Sequence, residues 1–132
     1  MDPIRIAVVG VGKIARDQHL PAIAGNRAFG LAATVSPRDP GVEGVPHFAT
    51  LDDLLAGGPA VDAVALCTPP QVRHDLASTA LARGIHVFLE KPPGATLAEV
   101  AALHSQADRV GATLFAAWHS RFAAGVAPAR AW

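Results

Sequence analysis

Two lysines have the strongest claim on chemistry in this chain. Of its 11 Lys and Arg residues, only Lys13 and Lys91 are lysine. Lys13 stands in Gly10-Val11-Gly12-Lys13-Ile14-Ala15, directly after the apolar run from Ile4 to Val9. Lys91 stands in Glu90-Lys91-Pro92-Pro93, directly after the run from Ile85 to Leu89. A sequence that uses Arg for every other positive charge points to a need at these two junctions for a compact, mobile ammonium that exchanges its proton. Lys91 is the candidate catalytic residue: partly desolvated at such a junction and beside a cationic group, its amine would accept or donate a proton. Glu90 would either orient it or bind a ribose.

The elements that must carry these groups follow from the pattern. Apolar runs over 4–9, 29–35, 62–67, 85–89 and 113–118 lack strict alternation and are expected as buried strands. Helical spacing fills 13–25, 51–57, 72–83 and 96–110. Thr50 with Asp53, and Thr96 with Glu99, have the spacing of an N-cap and its acid. Gly84 and Gly111 stand where helices end, and Pro21 is expected to interrupt or restart the first helix. Strands alternating with helices over short connections predict an α/β Rossmann-like, doubly wound parallel sheet, covered on both faces, in a single domain.

In that sheet Gly10-x-Gly12-x-x-Ala15 is a dinucleotide motif. Gly10 permits the tight turn, Gly12 lets a pyrophosphate approach the backbone, and Ala15 keeps helix and strand close. Val11, Lys13 and Ile14 complete the cofactor-binding loop. At the tip of the second strand Ser36 and Arg38 favour a 2′-phosphate, while Asp39 stands further out and could serve a 2′-hydroxyl. The cofactor is therefore expected to be NADP or NAD, leaning to NADP. Cys67-Thr68-Pro69-Pro70 at the next tip would edge the cofactor, with Cys67 itself a small core residue rather than a nucleophile. His119 follows the last strand as a rim residue. His86 is expected in the core, and His19, His47, His74 and His104 on loops or helix surfaces. No metal-ligand spacing occurs among the histidines.

Composition bounds the remaining classes. The 132 residues are 51% hydrophobic and 17% charged with zero formal net charge, which supports one folded domain and gives no footprint for nucleic acid or an anionic membrane. One cysteine and no membrane-length apolar run predict a cytoplasmic protein without disulfides. Tyrosine is absent, which excludes a Tyr-Lys short-chain dehydrogenase.

Together, Gly-x-Gly-x-x-Ala, Cys67-Thr68-Pro69-Pro70, Gly84-Ile85-His86-Val87 leading to Glu90-Lys91-Pro92, and Arg121-Phe122 resemble the glucose–fructose oxidoreductase/inositol dehydrogenase (Gfo/Idh/MocA) family over essentially the whole chain. Within it, Gly12 to His19, Cys67 to Gln71 and Ala117 to Phe122 resemble bacterial aldose 1-dehydrogenases acting on D-galactose or L-arabinose. The resemblance implies oxidation of a sugar C1 hydroxyl to a lactone, with Lys91 as the active-site lysine, a bond before Pro92 that is often cis, and His119 near nicotinamide and substrate. It also implies a small-molecule sugar as partner and a homo-oligomer. Arg73 departs from the family, where a His is common, and leaves the role of His74 open. Residues 1–120 are expected to be the dinucleotide domain and 121–132 the start of a connection to a second domain not contained in the chain, so that the fragment alone would bind cofactor without turning over. A non-catalytic dinucleotide-binding or regulatory module is the competing expectation. Trp118, Phe122 and Trp132 are expected to form an apolar patch that promotes self-association.

Overall fold

The computed structural model describes residues 2–131, so Trp132 lies outside the described residues. Its core is a six-stranded parallel sheet in the order β3-β2-β1-β4-β5-β6. The strands are β1 (Ile4–Val9), β2 (Phe29–Val35), β3 (His47–Phe48), β4 (Ala63–Leu66), β5 (His86–Leu89) and β6 (Leu114–Ala116). The helices are α1 (Leu20–Ala24), α2 (Leu51–Gly57), α3 (Pro70–Leu81), α4 (Leu97–Val110) and α5 (Val126–Arg130). The chain winds outward from β1 through β2 to one edge, then returns to β4 and winds to the other. This reversal between β1 and β4 is the switch point at which ligands bind such sheets.

Local chemistry accounts for the boundaries. Helix α2 starts on Thr50, whose hydroxyl accepts the Asp53 N–H, and α4 starts on a complete capping box between Thr96 and Glu99. Gly111 ends α4 at φ +68°, and Gly84 turns the chain into β5 at φ +72°. Helix α3 begins two residues before its expected start, because Pro70 lies in the first turn, where a missing N–H costs nothing. The first helix is not uniform: residues Ala15–His19 form a π turn that runs straight into α1. A proline ring at position 21 would clash with the carbonyl four residues back in a regular helix, and the wider turn relieves this. Strand β3 went unpredicted since two residues show no period; it is held by Thr34 and Ser36 N–H groups donating to Pro46 and Phe48 carbonyls.

One face of the sheet packs Val9, Val64, Leu66, Val87 and Leu89 against α2, α3 and α4. The other face packs Ile6, Val8 and Ala65 against Ala15 of the π turn and Ile23 of α1. Register steps from Ile6 opposite Leu31 to Ala7 opposite Ala33, so Ala32 is the extra residue of a bulge.

Three expectations need correction. The sheet is not covered on both faces throughout: on the α1 face, Phe88 and Phe115 stack on each other and Phe115 is 56% exposed. Strand β6 is accordingly an exposed edge rather than a buried strand. His86 is exposed at the start of β5, where its Nδ1 accepts the Thr113 N–H; it is not a core residue.

Candidate functional site

Parallel strands bring their carboxyl ends to one rim. Val9, Leu66, Leu89 and Ala116 lie in one row across β1, β4, β5 and β6. Adjacent strands are about 4.8 Å apart, so the β5 tip carrying Lys91 stands roughly 10 Å from the β1 tip. Gly10-Val11-Gly12-Lys13-Ile14, Ser36, Arg38, Cys67-Thr68-Pro69-Pro70, Glu90, Lys91 and His119 all follow strand ends on this rim.

The loop after β1 rests on the loop after β4. Gly10 has φ +88°, and a Cβ there would meet the Thr68 nitrogen and Cγ2 at 3.0 Å. Only glycine fits that turn without displacing Thr68. Gly12 is different: an added Cβ would have no neighbour within 4 Å, so the space over the loop is open. Val11 is buried and Ile14 is exposed. Lys13 points outward, and its ammonium pairs with Asp17 four residues on.

Beyond β2, Arg38 is exposed and Ser36 is half-buried. The Asp39 carboxylate is committed: it accepts from the Arg16 guanidinium at 2.5 Å and from the Gly41 N–H at 2.8 Å. These donors hold its carboxyl below the usual range. His47, expected on a loop surface, is a half-buried brace instead, with ring nitrogens 2.9 Å from Thr34 Oγ1 and 3.1 Å from the Ser36 carbonyl.

The loop after β4 holds a buried Thr68 hydroxyl with no protein partner. A buried hydroxyl left unpaired is costly, which marks it as a group awaiting a ligand atom or water. Cys67 packs with the α1-face core, and burial pushes its thiol up to about 12, which suits a core residue and not a nucleophile.

After β5 the chain reads Glu90-Lys91-Pro92 with a cis bond before Pro92. Its backbone is pinned by Arg73, which the sequence marks only as a departure from the family's His. Arg73, 3% exposed on α3, donates from Nη1 to the Glu90 and Pro92 carbonyls and from Nη2 to the Thr68 carbonyl. One guanidinium thus ties the β4 loop to the β5 loop. Among the described residues, His74 beside it pairs with Asp75, and His104 approaches Asp108.

Glu90 does not reach the Lys91 ammonium. One carboxylate oxygen lies 2.7 Å from His19 Nε2 and the other accepts the Lys91 N–H at 3.1 Å. Burial pushes the Glu90 carboxyl up, but the His19 contact, the Lys91 N–H and the charge of Arg73 outweigh it and leave it below its ordinary value. His19 is therefore no surface residue. Lys91 is exposed, and among the described residues its ammonium has no ion-pair partner. His119 opens an exposed 3₁₀ turn, His119–Phe122. No three His, Cys, Asp or Glu side chains gather as metal ligands among the described residues.

An open cradle at Gly12, an unpaired hydroxyl at Thr68 and a switch point between them fit a dinucleotide and define a Rossmann-type cofactor domain. Residues 4–118 match the family model described as "Oxidoreductase family, NAD-binding Rossmann fold". The chain belongs to this Gfo/Idh/MocA oxidoreductase family. It is 54% identical over 101 residues to galactose 1-dehydrogenase of Pseudomonas fluorescens, an alignment covering 76% of this chain and 33% of that protein. The solved D-galactose-1-dehydrogenase of Rhizobium etli superposes with a TM-score of 0.91 at 57% identity, over 99% of this chain and 42% of that one. The WlbA dehydrogenase of Bordetella pertussis, solved with NADH and UDP-GlcNAcA, superposes with a TM-score of 0.85 at 28% identity, over 96% of this chain and 40% of that one. The chain thus spans well under half the length of these relatives. No helix among the described residues is long and apolar enough to cross a membrane.

Proposed function

We propose that this chain is the cofactor domain of an aldose 1-dehydrogenase, which oxidises the C1 hydroxyl of a galactose- or arabinose-like sugar to a lactone. The observation that carries the reading is the state of Lys91. Its backbone is fixed on both sides, by Arg73 on the Glu90 and Pro92 carbonyls and by Glu90 on its own N–H, while its ammonium is left without a carboxylate. An anchored lysine whose nitrogen is not engaged by a carboxylate can reach a substrate hydroxyl and, in its neutral form, accept the hydroxyl proton. The bound dinucleotide supplies the hydride acceptor. The Lys91 amine takes the O–H proton as the C1–H bond gives up its electron pair and the C1 carbonyl forms.

Gly10, Val11, Gly12, Lys13 and Ile14 cradle the pyrophosphate in this reading, and Cys67, Thr68, Pro69 and Pro70 line the cofactor's edge. Glu90 positions Lys91 through its N–H, and His119 stands at the nicotinamide end. Ser36 and Arg38 take the adenosine ribose. Commitment of Asp39 to Arg16 removes the carboxylate nearest the β2 tip, which supports NADP being accepted, and preferred over NAD. Separate titrations with NAD and NADP test this, on wild type and on Lys13→Ala and Arg38→Ala. NADP should bind at least as tightly, and Arg38→Ala should erase its advantage. NAD binding over about tenfold tighter contradicts the preference.

In this reading residues 121–132 begin the connection to a sugar-binding part, and the isolated 132-residue chain should bind cofactor without turnover, since turnover requires a sugar held within reach of the ring. Sugar-dependent NADPH formation by this chain would refute that. Exposed Trp118, Phe122 and Phe115 support self-association through this end of the sheet. A clean monomer in light scattering at high concentration would count against it. A cytoplasmic location goes with a cofactor of central metabolism and with a single, partly buried thiol.

A further inference from the structure

His19 and Glu90 are withdrawn from water against each other. Their side chains are 11% and 13% exposed and meet at 2.7 Å, across 71 residues of sequence. The imidazole also stands edge-on to Phe88, with centroids 5.2 Å apart and planes at 87°, so it is held from two sides. Both residues border an open cavity of about 350 Å³ on the α1 face, together with Gln18, Asn26 and Phe29. A buried polar pair contributes little to stability compared with apolar residues of the same volume. Its directional bonds are what apolar packing cannot supply.

The direction is legible. His19 ends the π turn that follows directly from the Gly10–Ile14 loop. Its partner's second oxygen accepts the Lys91 N–H. Arg73 braces the same segment from α3, but its bonds go to Thr68, Glu90 and Pro92 and none to the first loop. Among the described residues, no other side-chain hydrogen bond joins the π turn to residues 90–92.

We propose that His19 is a positioning residue: by fixing the Glu90 carboxylate it sets where Lys91 and the nicotinamide end of the site stand relative to the pyrophosphate loop. The inference rests on the dinucleotide-binding reading, and the test separates the two. NAD and ADP-ribose share the adenosine, the pyrophosphate and both riboses, and only NAD carries the nicotinamide. Calorimetric titration of each into wild type and His19→Leu should show NAD weakened roughly five- to tenfold, as for one lost charge-assisted hydrogen bond, and ADP-ribose by less than about twofold. His19→Gln, which keeps an N–H able to donate to a carboxylate, should recover most of the NAD loss. An equal loss for both ligands, or no loss for NAD, overturns the proposal. Should His19→Leu fail to fold, wild-type NMR serves instead: NAD shifts the His19 ring protons while ADP-ribose leaves them in place, and equal shifts overturn it. Wild type that binds neither ligand removes the dinucleotide reading itself.

Discussion

Arg73→Met tests whether the rim is assembled as argued. The guanidinium is 3% exposed and spans two loops: Nη1 donates to the Glu90 and Pro92 carbonyls and Nη2 to that of Thr68. Hydrogen bonds to a charged group contribute about 1.5–3 kcal/mol each. Against three of them stand the several kcal/mol of burying the charge and the cost of Nε, which is buried without a partner. Burial is strong enough to pull the Arg73 pKa below its ordinary value despite Glu90 and Cys67. Methionine keeps most of the stem's volume and leaves the three carbonyls unpaired. The net loss should be roughly 2–4 kcal/mol, or about 10 °C in Tm for a domain of this size. Urea unfolding followed by far-UV circular dichroism measures it. Arg73→Lys should recover less than half, since one ammonium cannot reach both loops in a fixed fork. An Arg73→Met change smaller than about 1 kcal/mol would mean that burying the cation costs as much as its bonds return, and that water serves the carbonyls.

The two motif glycines should separate folding from binding. Gly10→Ala should cost about 1–3 kcal/mol of stability from its positive φ and its contact with Thr68. Gly12→Ala should leave the unfolding midpoint within about 0.5 kcal/mol but abolish the thermal shift produced by NAD; an intact shift contradicts the cradle. Glu90 gives a pH dependence. Its folded pKa lies below the unfolded value, so its contribution is present above that value and lost as pH falls through the folded one. Glu90→Gln should therefore flatten the acid limb below about pH 5 in a circular-dichroism titration, and an unchanged limb refutes this. Cys67, its thiol raised to about 12 chiefly by burial, should resist iodoacetamide at neutral pH until urea unfolds the chain. Rapid labelling of the native protein would contradict its burial.

What the sequence shows of this protein divides by range. Elements and caps depend on neighbours, and Thr96 with Glu99, Gly84, Gly111 and the Gly10 turn are all legible within a few residues. The rim is legible too, because five apolar runs alternating with helices leave a parallel sheet as the only economical arrangement. Side-chain partnerships over long separations are not. His19 and Glu90 have no shared local pattern, and Arg73 stands out in the sequence only as a departure from the family's His, while the three carbonyls from two loops that converge on it are visible only in the structure. One local signal did point to His19. A proline two residues after a histidine, inside an otherwise helical stretch, forces the preceding turn to widen. The histidine that ends such a turn lies on the same face as buried Ala15, which is the face the sheet receives. The covering of that face was misjudged for a related reason. Alternating elements imply helices on both sides, but right-handed crossovers decide how many go to each. The chain passes from β1 to β2 by way of α1, and then runs the other way from β3 to β4, from β4 to β5 and from β5 to β6 by way of α2, α3 and α4. One crossover helix therefore serves the α1 face and three serve the opposite face, and Phe115 of the edge strand β6 is exposed on the less covered side.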